Sequence, residues 1–320
     1  MVSARARNLA LLGALVALLI AFPFVVRGAY PKQVAILVLL YGALGSAWNV
    51  VGGYVGRISL GHAAFFGIGA YVTMWLMTAQ HITPWIGMAV GSLGAAGLAL
   101  LIGWPTLRLK GHYFAMATIA LGEVLRIVFN DWAFVGGASG LEAPIHVSWA
   151  TLTFRSQTPY YFIALAFAVL TAGLVAFYVE GKAGYYWQAI RGDESAAASL
   201  GVDTARYKMN GLVLSAGVTG LWGGFFAVHV GFVNPDSVFD ILISVQMVLV
   251  AVLGGIGSLV GPWLGALILL PLGELTRVAL GGSGRGVDLL LYALVIVLIT
   301  VLQPGGILAL WRRHGTPRGS

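Results

Sequence analysis

The sequence contains no cysteine, which excludes disulfides, thiolate metal sites and cysteine nucleophiles. Charge is scarce as well. Asp, Glu, Lys and Arg make up 9% of its 320 residues, against roughly 25% in an ordinary soluble domain. Together with 59% hydrophobic residues and a mean hydropathy of +0.91, this specifies an integral membrane protein. No glycine loop runs into the GK[ST] of a phosphate site; triplets such as Gly67-Ile68-Gly69 stand alone. No nucleophile–base pair and no metal-ligand spacing occurs either, so neither enzymatic activity nor a cofactor is expected. The net charge of +7 raises nucleic acid as a partner. An excess of basic residues in cytoplasmic loops accounts for it, and no nucleic-acid partner is expected.

Glycine, by contrast, is abundant: 45 residues, about twice the usual ~7%. In lipid, glycine lets helix backbones approach closely and lets spans break. Apolar runs long enough to cross a bilayer fall at Leu9–Val26, Gln33–Val51, Ser59–Thr78, Pro84–Gly103 and Tyr113–Asn130. After the polar stretch Asp131–Pro159 come Tyr160–Val179, Met209–Val230, Ile241–Gly257, Pro262–Leu280 and Asp288–Leu302. The expected fold is therefore all-α, a single transmembrane domain over residues 1–320 with about ten spans, eight at the fewest. Leu9–Val26 follows Arg5 and Arg7 like a signal peptide, but its length and the lack of an A-x-A site favour an anchored span. Ser59–Thr78 and Ile241–Gly257 are interrupted by glycine and read as re-entrant or discontinuous. The stretches Gly52–Ala70 and Gly254–Ala266 share a loose glycine pattern, as paired broken helices along a substrate path do.

Most basic residues, including Arg57, Arg108, Lys182, Arg191, Arg206 and Lys208, fall on one side of this arrangement. The bias places that side, and both termini, in the cytoplasm and Asp131–Pro159 outside. The second long polar interruption, Glu180–Lys208, is then cytoplasmic. Within it Trp187, Ile190, Ala197 and Leu200 keep helical spacing, while Arg191, Asp193 and Glu194 take the other positions. Gly201 is placed to stop that helix in a left-handed turn. Small Ala196, Ala197 and Ala198 would let a partner lie close against it. A short helix slung between two spans is a handle for another protein.

Ionisable residues inside spans are functional candidates. His62 opens an apolar run after Ser59-Leu60-Gly61, where a helix N-terminus could face a carboxylate; its alternative role is packing. Glu123 and Arg126, and again Glu274 and Arg277, stand three apart, a spacing that suits self-neutralising pairs.

Several segments now carry a resemblance. Ser59-Leu60-Gly61-His62-Ala63-Ala64-Phe65-Phe66-Gly67-Ile68-Gly69-Ala70-Tyr71, Tyr113-Phe114-Ala115-Met116-Ala117-Thr118, Ala189-Ile190-Arg191, Ala196-Ala197-Ala198-Ser199-Leu200-Gly201 and Leu253-Gly254-Gly255-Ile256-Gly257-Ser258 follow one another in order. They resemble the M-type permease subunits of ATP-binding-cassette importers for branched-chain amino acids, from about Gly42 to Trp311. The resemblance implies a path for the substrate, and Ser59, Gly61, His62, Thr118 and Glu123 are the residues expected along it. It implies two cytoplasmic ATPase subunits, a second homologous permease and an external solute-binding protein, in a bacterial inner membrane with its lipid around the chain. Glu180–Lys208 becomes the coupling loop, with Arg191, Asp193, Glu194, Ser195, Ala196, Ala197 and Gly201 at the ATPase contact. Ser195 departs from the family's E-A-A-x-x-x-G, and Asp193 or Glu194 would supply the acid instead. Two other readings stand beside this one: a self-sufficient secondary transporter using His62 and Glu123 as proton carriers, and a permease for urea or short amides.

Overall fold

The computed structural model describes residues 18–26, 28–109, 111–144, 148–279 and 306–308, with no side chain described over 276–279. Residues 18–25 are helical, the end of the run beginning at Leu9; the run Asp288–Leu302 lies outside the described residues. Helix α1 spans Ala29–Asn49 and continues as a π-helical turn, Val50–Tyr54. Then follow α2 (His62–Ala79), α3 (Pro84–Thr106), α4 (His112–Asp131) and α5 (Gln157–Glu180). The polar interruption holds two short helices, α6 (Lys182–Gly192) and α7 (Glu194–Ser199). Four more follow: α8 (Thr204–Val230), α9 (Pro235–Val238), α10 (Ile241–Gly254) and α11 (Gly261–Ala279).

Among the described residues six stretches are long and apolar enough to cross a membrane: Ala29–Tyr54, Pro84–Thr106, His112–Asp131, Gln157–Glu180, Thr204–Val230 and Pro235–Gly254. The chain is therefore a helical, multi-pass membrane protein. α2 packs between α3 and α8, and α1 packs on α5, α10 and α11. Glycine permits the α2–α8 contact: a Cβ on Gly69 would stand 1.9 Å from the Gly220 carbonyl, and one on Gly223 2.0 Å from that of Phe66. The apolar segment of α8 is 72% buried, whereas that of α4 is 22% buried. Among the described residues α4 therefore stands at the edge with most of its surface open.

At one end of the bundle lie the turn after α1, the start of α4, and α6–α7; Arg57 donates there to the Leu109 carbonyl and Lys208 to that of Leu107. At the other end strand β1 (Leu141–Glu142) pairs antiparallel with β2 (Phe232–Val233), Leu141 opposite Val233. Residues 131–144 fold over that end through two single 3₁₀ turns, Ala133–Val135 and Gly137–Ser139.

Candidate functional site

Four of the five expected path residues meet where α2 begins. After the π turn the chain runs without helix through residues 57–60, and the Trp48 indole pins this strap by donating to the Ser59 carbonyl at 2.6 Å. Ser59 and His62 are fully buried. The Ser215 hydroxyl donates to the Ala47 carbonyl at 2.6 Å, so it accepts from His62 Nε2 at 2.8 Å. That fixes the proton on Nε2 and leaves Nδ1 to accept from Ser59 Oγ at 3.1 Å. Thr118 Oγ1 accepts from the Leu60 N–H at 3.1 Å and donates to the Ala115 carbonyl at 2.8 Å. Gly61 lies so close to α4 that a Cβ there would come within 2.3 Å of the Thr118 carbonyl oxygen. The Ala63 N–H, expected to face a path, is instead capped by Ser244 Oγ at 2.8 Å. Ser215 and Ser244 join the site without a sequence signal, because a lone hydroxyl in an apolar run gives none by itself.

Glu123 stands apart from this cluster. Its carboxylate grips Arg126, with Oε2 3.0 Å from Nε, as the spacing of three predicts. Arg126 Nη1 also reaches Asp236 Oδ1 on α9, a partner that sequence distance concealed. The second expected pair cannot be compared, since the Arg277 side chain is outside the described residues.

The handle departs from the single helix expected. It breaks at Gly192–Asp193, where Asp193 is extended (φ −156°, ψ 113°) and its carboxylate caps α7 by accepting from the N–H groups of Ser195 at 2.8 Å and Ala196 at 3.0 Å. The break changes the register. Trp187, Ile190 and Ala197 are buried as expected, but Leu200 is 86% exposed. Ala197 thus faces the chain's own core, while Ser195, Ala196, Ala198, Ser199 and Leu200 face outward. Gly201 ends α7 at φ +85°, with the Val202 N–H donating to the Ala197 carbonyl and the Gly201 N–H to that of Ala198. This is the left-handed glycine stop that the sequence predicts.

Glu194 and Arg191, also expected at the ATPase contact, bond to the chain itself. Glu194 binds Arg57 of the strap through one oxygen and Lys208 of α8 through the other. Its partial burial works to raise its pKa, but Lys208 and Arg57 outweigh that and hold the carboxyl below its ordinary range. Arg191 Nη1 donates to the Gly53 carbonyl at 2.6 Å. Gly53 in turn sits beside the other broken stretch: Asn49 Nδ2 donates to the Ser258 carbonyl at 2.9 Å and its Oδ1 accepts from the Gly257 N–H at 2.8 Å. The two glycine-rich stretches therefore meet, and the handle is tied to their junction.

This geometry can be set against known proteins. Residues 30–300 match the family model described as the branched-chain amino acid transport system / permease component. The chain belongs to that family. It is 31% identical over 96% of its length to the high-affinity branched-chain amino acid transport system permease protein LivM of Escherichia coli, covering 77% of that protein. To LivM of Salmonella typhimurium it is 30% identical over 93% of its length, covering 74%. To LivH of Salmonella typhimurium, another permease protein of such a system, it is 25% identical over 83% of its length, covering 90%. No solved structure matches the chain.

Proposed function

We propose that this permease is the M-type transmembrane subunit of an ATP-binding-cassette importer and forms part of the path for branched-chain amino acids. Two cytoplasmic ATPase subunits dock on the outward face of the handle, a second homologous permease completes the path, and an external binding protein delivers substrate. The chain lies in a bacterial inner membrane with about ten spans, both termini and the handle in the cytoplasm, and Asp131–Pro159 outside. Basic Arg57, Arg108, Arg191 and Lys208 at the handle end support that orientation. Cysteines introduced at Ser139 and Ser195 should then label from opposite sides.

One observation carries the reading: the handle is locked to the strap that leads, within five residues of Arg57, to the Ser59–His62 cluster. Movement of a docked ATPase would pull on Glu194 and Arg191. The strap would transmit that pull to the start of α2 and the junction beside Gly257. In the conformation described the polar cluster is sealed, so it acts as a closed constriction that handle movement opens. The test is uptake of leucine into liposomes holding this chain, a second permease, both ATPases and ATP, with binding protein outside. Uptake should require every component. Uptake by this chain alone, driven by a membrane potential, would favour the secondary transporter. Against that reading, both His62 nitrogens are engaged and Glu123 is neutralised by Arg126. Uptake of urea or acetamide in place of leucine would move the substrate to short amides.

A further inference from the structure

We propose that Glu123, Arg126 and Asp236 form the outer site for the charged end of the transported amino acid, the two carboxylates taking its ammonium and Arg126 its carboxylate. This rests on the function proposed above and names a binding site within it. The cluster is built from two elements, α4 and α9, and sits about 20 Å along α4 from its start at the handle end. Its groups are open: the side chains of Glu123, Arg126 and Asp236 are 51%, 34% and 64% exposed.

Two charges on the open face of a spanning helix, with a third beside them on α9, do not face hydrocarbon, where each would be strongly unfavourable. They face water or another protein. Two carboxylates against one guanidinium leave a net single negative charge, so the cluster attracts a cation and repels an anionic lipid headgroup. Three of Arg126's N–H groups serve Glu123 and Asp236, and a guanidinium has five. Among the described residues two remain for a ligand carboxylate. Ile127, half exposed and four residues beyond Glu123, puts an apolar surface next to the charges. A cationic group, an anionic group and an apolar surface side by side fit a zwitterion with an aliphatic side chain. From there the next polar residue toward the handle along α4 is Thr118, which belongs to the sealed cluster at His62.

The test uses the assembled transporter in liposomes with leucine-loaded binding protein, comparing Asp236→Asn and Glu123→Gln with the unaltered chain. Arg126 keeps one carboxylate in each variant, so assembly should be retained. Leucine uptake per assembled complex should fall about ten-fold or more, since each substitution removes a charged hydrogen-bond partner. Uptake within about twofold of the unaltered level in both variants would overturn the site. So would a loss of uptake that only follows loss of assembled complex, which would make the cluster a contact with the second permease. An unaltered transporter that takes up no leucine fails before any variant is compared. That result overturns the proposed function, and the site falls with it.

Discussion

Arg191 and Gly53 are joined across 138 residues of sequence by a 2.6 Å hydrogen bond from guanidinium to carbonyl. Gly53 lies in the π turn that ends α1, and a Cβ on it would stand 2.8 Å from the Gly257 nitrogen. A Cβ on Gly257 would itself stand 2.6 Å from Arg191 Nη1. One side chain from the handle therefore touches both glycine-rich breaks.

Arg191→Ala should uncouple the transporter without dismantling it. A hydrogen bond from a charged donor contributes about 1.5–3 kcal/mol, so the handle would be held to the breaks roughly ten- to a hundred-fold less firmly. ATP hydrolysis by the assembled complex should persist while leucine moved per ATP falls. Arg191→Lys, which cannot reproduce the planar fork, should restore only part. Unchanged leucine per ATP in the alanine variant would show that Arg191 bears no coupling load.

Glu194 gives a pH dependence. Its folded pKa lies below the ordinary value because Lys208 and Arg57 oppose the effect of burial. The stability it contributes is thus present above the unfolded carboxylate value, about 4.3, and is lost as pH falls through the lower folded value. Since the chain has no cysteine, a spin label on Leu200→Cys reports the handle alone. Its mobility should stay constant from pH 8 to about 5 and rise only below about 4. Glu194→Gln, which leaves Lys208 buried without its ion pair, should loosen the handle by about 1–3 kcal/mol from pH 8 to about 5, and the difference from the unaltered chain should shrink below about 4.

These residues mark the limit of what the sequence shows. Eight apolar runs from Gln33 to Leu280, except the one broken near its start at Ser59, become helices whose ends shift by only a few residues, because hydrophobicity and length decide a span locally. The Gly201 stop was legible for the same reason, since one residue type meets one backbone requirement. The inward turn of Glu194 was not. Charge at a helical position reads as an outer face unless its partners are visible, and Arg57 is 137 residues away. The break at Gly192–Asp193 hid equally well: Asp193 fits a helix surface and a helix cap alike, and only the cap moves Leu200 out of the apolar face.

His62 separates packing from transport. Its removal takes the acceptor from the buried Ser59 hydroxyl, costing about 1–3 kcal/mol, while Ser215 keeps its bond to the Ala47 carbonyl. His62→Ala should lower the thermal unfolding midpoint of the purified chain as well as uptake. Ser215→Ala leaves His62 bonded to Ser59 and should be milder in both. Gly61→Ala, pressed on the Thr118 backbone, should destabilise by about 1–3 kcal/mol. If His62→Ala abolishes uptake at an unchanged unfolding midpoint, the cluster serves transport and not packing.

The outward face of α7 decides whether the handle is a docking site. Leu200 is the large apolar side chain there, 86% exposed, with Ala196 and Ala198 beside it. Covering a leucine is worth about 1.5–3 kcal/mol, so a docked partner should bury Leu200 and a charge in its place should be costly. Leu200→Asp touches nothing in the chain's own core and should leave the unfolding midpoint unchanged. It should reduce co-purification of the ATPase subunits and ATP-dependent uptake about ten-fold or more, the ratio that 1.4 kcal/mol or more produces. Ala197→Asp makes the contrast. Ala197 is 4% exposed against the chain itself, so that variant should lower the unfolding midpoint even with no ATPase present. If Leu200→Asp retains the ATPase subunits at the unaltered level, the partner grips a different surface and the handle serves only to brace the strap.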